Sequence, residues 1–367
     1  MGTAQSRMDR GVRGKNSVKP IPPLSRRAFV KSLGGLGIGA LAGGNRFSIA
    51  GISENGTRAA NRLVDTHHHI LPPEYVRMVG RDVIGKPSPS GAPNWDPAQS
   101  LQVMNANGIA TAVVSISAPG IWFGNAARAR HLARICNEYA AQMAADYPGR
   151  FGFFAALPLP DVAGSLAELR HAVEELHCDG IGLITNYGGR YLGDPHFDAV
   201  FDEMNRRRVT VYVHPYVCDC DRAILPGIPS AMIEFPHSTT RAMIGLASSG
   251  TFERCPDIQF IFSHAGGTLP FLVNRVVGQA NLMGHRGWDE PLRRCYYDTA
   301  GSANSAAFGP LLQLVTSKQV LFGSDFPFAA APSVTASLAS LRALGLPDSD
   351  LENIEGVNAR HLFRRFA

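Results

Sequence analysis

Five side chains in this sequence are of the types that bind a divalent ion or move a proton. His67, His69, His214, His264 and Asp325 each sit where a short apolar run gives way to a loop. The stretch Val64-Asp65-Thr66-His67-His68-His69-Ile70 carries two of them. Side chains alternate faces along a strand, so His67 and His69 point one way and His68 the other. His214 follows Val211-Tyr212-Val213, His264 follows Ile261-Phe262-Ser263, and Asp325 follows Leu321-Phe322-Gly323-Ser324. Each alone has a plainer reading: the triple histidine as a solvated turn, a strand-end histidine as a hydrogen-bonded rim residue, Asp325 as a helix N-cap. Together they offer imidazole nitrogens and a carboxylate oxygen, the donor set of zinc and related divalent ions. A catalytic ion of that kind keeps one position open for water or substrate.

Residues so far apart along the chain meet only if a repeated element brings their ends to one place. Strand-like apolar runs recur at 63–66, 111–116, 153–157, 180–185, 210–213, 258–262, 296–299 and 319–322. Several are continuous rather than alternating, as in strands covered on both faces, and helical stretches separate them. Eight strand-then-helix units predict an α/β fold, a (β/α)₈ TIM barrel, whose chemistry belongs at the C-terminal ends of the strands. One helix is expected over 125–147, with Leu132, Ala133, Cys136, Ala140 and Met143 at three-and-four spacing and Pro148-Gly149 closing it. Another is expected to start at Ser165, with Glu168, Arg170, Glu174 and Glu175 on its polar side, and a third spans 197–207. After His69, Pro72-Pro73 is expected to end regular structure. The long loop from Ile70 to about Pro97, rich in Pro and Gly and containing Trp95, reads as a lid or substrate wall, or equally as a variable insertion.

The 367 residues, 45% hydrophobic, are enough for one large α/β domain. The formal charge of +5 invites a nucleic-acid reading, but its distribution removes it. Residues 1–50 hold nine Lys or Arg against one acid, Asp9, a net of +8 that leaves −3 for the remainder. Within that leader, Ser25-Arg26-Arg27-Ala28-Phe29 precedes a weakly apolar, glycine-laden run, and Ser48-Ile49-Ala50 offers a small-x-small cleavage site. This is similar to a twin-arginine export signal, the other reading being a basic arm with a chance arginine pair. The expected division is a leader over 1–50 and one catalytic domain over 51–367, exported to the periplasm if the leader works and cytoplasmic otherwise. No other run approaches the roughly 18 apolar residues a membrane helix needs, so no membrane contact is expected after cleavage. The six cysteines are scattered, and the close pair Cys218 and Cys220 is too tight for usual zinc-ribbon spacing and reads as loop cysteines.

The Asp65-Thr66-His67-His68-His69 stretch, His214-Pro215, His264-Ala265-Gly266-Gly267-Thr268-Leu269-Pro270-Phe271 and Gly323-Ser324-Asp325-Phe326-Pro327 resemble the amidohydrolase superfamily, over roughly residues 64–363. More narrowly they resemble its aminocarboxymuconate-semialdehyde decarboxylase branch. The runs from Thr185 to Pro195 and from Glu234 to Arg241 look most like the 6-methylsalicylate decarboxylase subgroup. The resemblance implies one divalent metal ion, zinc or else manganese, surrounded by His67, His69, His214 and Asp325, with His264 just outside as acid or base. In binuclear members a carboxylated lysine bridges two metals from the strand that here reads Ile181-Gly182-Leu183-Ile184, so its absence implies a single ion. It also implies a homodimer or larger homo-oligomer in which Arg275 reaches the neighbouring subunit's substrate carboxylate; the plainer reading of Arg275 is a surface helix arginine.

The expected reaction is loss of CO₂ from a small hydroxy-aromatic or enol carboxylic acid, with a proton delivered to carbon by Asp325 or under the control of His264. Arg190 and Arg241 are further candidate anion contacts. Two alternatives use the same residues: a metal-dependent hydrolase of a lactone, ester or amide, and a non-catalytic barrel that binds metal and ligand.

Overall fold

The computed structural model describes residues 63–218, 225 and 227–366; the leader with Arg26-Arg27 and also Cys220 lie outside them. Eight parallel strands follow one another around the sheet in chain order. They are β1 (Leu63–His69), β2 (Ile109–Ser115), β3 (Phe151–Ala156), β4 (Gly180–Ile184), β5 (Thr210–His214), β6 (Gln259–Phe262), β7 (Tyr296–Asp298) and β8 (Val320–Leu321). The segment after β8 closes the ring onto β1. Thr66 N–H donates to Phe322 O at 2.9 Å, Asp325 N–H to His67 O at 2.8 Å and His69 N–H to Phe326 O at 2.7 Å. All eight expected strands are present. β1 runs past its expected end because His68 and His69 pair with Val114 and Ser115 of β2.

Inward side chains fill the lower barrel. Val64, Val113, Phe154, Tyr212, Ile261 and Leu321 form one cluster, which Phe363 from the C-terminal segment closes from below. Burying side chains of this size stabilises by about 1.5–3 kcal/mol each, which fixes the strands whose upper ends carry the site. On β5 the inward residues are Tyr212 and then His214, two apart. On β1 the parity changes: a register shift between Asp65 and His68 turns His67 and His69, rather than His68, toward the residues above Tyr212.

The helices pack outside. Ala126–Asp146 buries Leu132, Ala133, Cys136, Ala140 and Met143 as its spacing predicts, and Asn125 caps it by accepting from Arg128 N–H. Three local expectations are corrected. The helix expected from Ser165 begins at Val162, because Asp161 accepts the Gly164 N–H and caps it one turn earlier. Glu168 is buried instead of solvated, its carboxylate held by Arg134 and Asn137, both at 2.9 Å. Pro73 opens the helix Pro73–Val79 instead of ending structure, since a first-turn N–H has no intrahelical partner to lose. No helix among the described residues is long and apolar enough to cross a membrane.

Candidate active site and metal centre

Four strand ends, those of β1, β5, β6 and β8, deliver five side chains to one spot above Tyr212. His67 Nε2 and His69 Nε2 are 3.0 Å apart, and Asp325 Oδ1 lies 3.4 Å from the first and 3.2 Å from the second. One donor atom from each of His67, His214, His264 and Asp325 falls within 4.8 Å of the others. The His214 ring is 4.8 Å from that of His69 and 5.6 Å from that of His264. His67 and His69 are wholly buried beneath, while His214, His264 and Asp325 line a cavity of about 360 Å³ above.

Each inner imidazole is held by its outer nitrogen. His67 Nδ1 meets Asp298 Oδ2 at 2.8 Å, His69 Nδ1 meets Ser115 Oγ at 3.1 Å, and His214 Nδ1 donates to Pro215 O at 3.0 Å. Protein partners on the outer nitrogens fix ring orientation and turn the Nε2 lone pairs toward one another, as partners behind metal-bound histidines do. Two such lone pairs 3.0 Å apart repel unless a proton or a cation lies between them. This donor set therefore fits a divalent ion, with His67, His69, His214 and Asp325 as holders. His264 contributes a buried Nδ1 that has no hydrogen-bond partner among the described residues.

The charges follow from burial and neighbours. Burial alone pushes His67 down, but the Asp298 carboxylate, with Asp325, carries its pKa up to about 10. His69 and His214 are lowered, in both cases chiefly by burial. Burial and then the charge on His67 push His264 down to about 4. Burial drives Asp325 upward, but the hydrogen bonds and charge of His67 and His69 outweigh it and hold the carboxyl well below the usual range. The site thus holds an ionised carboxylate and neutral His69 and His214 ready to ligate, while the charge on His67 is one that a bound cation would replace, since a ligand imidazole must give up that proton.

Two of these residues stand on backbone that side chains disfavour. His264 has φ +54° and Asp325 φ +60°. For residues carrying a Cβ this left-handed region costs roughly 1–2 kcal/mol each, and such strain concentrates at functional sites. Gly267, three residues after His264, has φ +67°, and a Cβ there would lie 2.1 Å from Pro236 O, so only glycine fits.

The cavity is walled by Ile84, Phe235 and Phe328 and roofed by residues 87–90, which makes the long loop a substrate wall. Arg275 lies on the exposed face of the helix Leu269–Leu282, away from this chain's own cavity. Arg190 is exposed and pairs with Asp194 at 3.0 Å, and Arg241 is also on the surface; neither lines the cavity. Sequence reading missed Asp298, which also accepts the His264 N–H at 3.0 Å, and Ser115. Asp298 carried a signal that could have found it, being an acid at the end of an apolar run, as Asp325 is.

The family profile described as amidohydrolase matches residues 64–365. Decarboxylase yanB of Aspergillus niger is 36% identical over 327 residues, covering 83% of this chain and 88% of that protein. The 6-methylsalicylic acid decarboxylase of Penicillium expansum is 34% identical over 312 residues, covering 82% and 96%. A solved structure of 5-carboxyvanillate decarboxylase from Novosphingobium aromaticivorans, with bound manganese and 3-methoxy-4-hydroxy-5-nitrobenzoic acid, superposes with a TM-score of 0.74 at 21% identity, over 84% of this chain and 99% of that one. At that identity the likeness speaks for the fold.

Proposed function

The chain belongs to the amidohydrolase family, and on that premise we propose that it is a metal-dependent, non-oxidative decarboxylase of small hydroxy-aromatic acids of the 6-methylsalicylate type. The observation that carries this reading is the meeting of four histidines and Asp325 on the floor of a cavity of about 360 Å³, room for a single substituted ring. His67, His69, His214 and Asp325 would hold a divalent cation, zinc or manganese, which would supply Lewis acidity at the substrate's carboxylate end.

The chain's own residues then handle the proton. Asp325 rests ionised, so the proton it delivers must first come to it, and the ring hydroxyl of a hydroxy-aromatic acid can supply one. Asp325 takes that proton on a carboxylate oxygen and returns it to the ring carbon bearing the carboxylate; the C–C bond to CO₂ breaks, and the phenolate left behind takes a proton from water. His264 lines the same cavity as a neutral imidazole that accepts hydrogen bonds along this path. Phe235, Phe328 and Ile84 keep competing water from the carbon.

A hydrolase of a lactone, ester or amide would use the same ligands. Incubating metal-loaded protein with 6-methylsalicylate and related hydroxybenzoates, with and without chelator, separates the two. Chelator-sensitive CO₂ release from the acids with an intact ring is expected; chelator-sensitive hydrolysis of an aryl ester or lactone with the acids left unchanged, or binding without turnover, would remove the decarboxylase reading.

A second copy is the partner this reading calls for. Phe271 is 79% exposed, Leu282 82% and Met283 70%, on and just beyond the helix that presents Arg275. Spacings of four and seven put Phe271, Arg275 and Leu282 on one face. A guanidinium there suits a neighbour's substrate carboxylate through two charge-assisted bonds. Residues 1–50 are read as an export leader, which retention of the Arg26→Lys/Arg27→Lys variant in the cytoplasm would support and its unchanged export would refute.

A further inference from the structure

The residues that hold Asp325 in place are not in the cavity. Asp65 and His68 are wholly buried and lie on the side of β1 away from the ligand nitrogens. Four donors converge on the Asp65 carboxylate. Oδ1 accepts the His67 N–H at 3.1 Å and the Ser324 N–H at 3.0 Å. Oδ2 accepts the Ser324 hydroxyl at 2.6 Å and His68 Nδ1 at 3.0 Å. From His68 the chain continues outward. Its Nε2 is 2.8 Å from Ser100 Oγ, and Ser100 Oγ accepts the Trp95 indole N–H at 2.9 Å. An indole N–H only donates, so the Ser100 proton is free to go to His68 Nε2, and His68 donates through Nδ1 to Asp65. The direction runs one way, from Trp95 through Ser100 and His68 to Asp65.

That relay grips both neighbours of Asp325. Ser324 is tied to Asp65 through its main chain and its hydroxyl, and the same hydroxyl oxygen accepts the Phe326 N–H at 3.1 Å. The Phe326 ring packs on the His68 ring at 5.2 Å. Asp325 between them is the residue at φ +60°, a conformation that relaxes unless its surroundings over-determine it. At the far end, Trp95 belongs to the segment whose residues 87–90 roof the cavity.

We propose that Asp65 and His68 are positioning residues for Asp325, holding its strained turn so that the carboxylate faces both the ion and the reacting carbon, and that Trp95 and Ser100 tie this aim to the cavity roof. The proposal rests on reading Asp325 as ligand and proton donor. A buried polar network that served folding alone would touch Asp325 only through lost stability, and the two roles differ in what they change.

The test uses Ser100→Ala and Trp95→Phe, which interrupt the relay far from the cavity, and His68→Leu, which removes its centre. Each is assayed for thermal midpoint, kcat, KM, the solvent deuterium effect on kcat, and affinity for manganese ion alone. Expected is a fall in kcat of about 5- to 20-fold in Ser100→Ala, with KM within about twofold, a larger deuterium effect and a thermal midpoint near that of the unaltered chain. Trp95→Phe should give a smaller change in the same direction, and His68→Leu a weakened manganese affinity as well. Ser100→Ala and Trp95→Phe that match the unaltered protein in kcat and deuterium effect would overturn the proposal. Losses of kcat that only follow losses of thermal stability would also overturn it. If the unaltered chain decarboxylates nothing, the functional reading fails by itself, while manganese affinity in His68→Leu still decides whether the relay positions Asp325.

Discussion

Gly323 is the residue on which the closeness of β1 and β8 turns. A Cβ built there would lie 2.7 Å from His67 Cβ and 3.2 Å from Asp298 Cβ. Both neighbours are fully buried, so neither can swing aside without disturbing the ligand His67 or the carboxylate that orients it. Gly323→Ala is therefore expected to destabilise by about 1–3 kcal/mol, as overpacking does, and to weaken cation affinity at least tenfold. Denaturant titration and calorimetric metal titration would read the two effects, and a variant with both unchanged would refute the contact. At this scale the ligands were legible, because His67, His69, His214, His264 and Asp325 differ in type from the apolar runs they follow. Their supports were not. Ser115 meets His69 from 46 positions away and Asp298 meets His67 from 231; the strand-end place of Asp298 was visible, but one sequence carries no trace of which imidazole either would hold.

Among the elements, the helix Asp198–Arg206 leads into β5 and so into His214, and its charged end is cross-linked. Glu203 bonds Arg206 at 2.6 Å and Arg207 at 2.6 Å, and Arg207 reaches Glu174 of the helix Val162–Glu174 at 2.7 Å. The Arg206 hydrogen bond, opposed by partial burial and joined by Arg207, lowers the Glu203 pKa from 4.5 to about 2. A depressed acid contributes stability that is fully present above its unfolded pKa and is lost as pH falls through its folded one. Glu203→Gln should thus narrow its stability gap to the parent between about pH 4.5 and pH 2. The gap itself should stay below about 1 kcal/mol because solvent screens the pair. A urea midpoint difference that is constant from pH 6 to pH 2.5 would contradict this. Strand order and the long helix were readable from period and length alone. Helix starts were missed where a single residue decided them, Asp161 as a cap and Pro73 as a first-turn residue, and Glu168 was misread because its partners Arg134 and Asn137 sit on another helix.

For the whole molecule, the exposed stripe of Phe271 and Leu282 beside Arg275 predicts an assembly. Phe271→Glu with Leu282→Glu should shift sedimentation toward the single chain and abolish turnover, whereas Arg275→Ala should keep the assembly and raise KM about tenfold or more. Full activity in a single-chain form would remove the second copy from the account. The (β/α)₈ architecture was legible because eight apolar runs repeat at helix-sized intervals; the cavity wall was legible only as one of two readings of the long loop, since residues 87–90 follow no period and take their place from what they cover. Decarboxylation by this route places a proton on the carbon that CO₂ leaves. Turnover of 6-methylsalicylate by the metal-loaded protein in D₂O, read by proton NMR and mass spectrometry, tests that claim most directly. One deuterium at the ring position that bore the carboxylate, in a product lighter by CO₂, is the predicted result. A decarboxylated product with no deuterium at that position would contradict it.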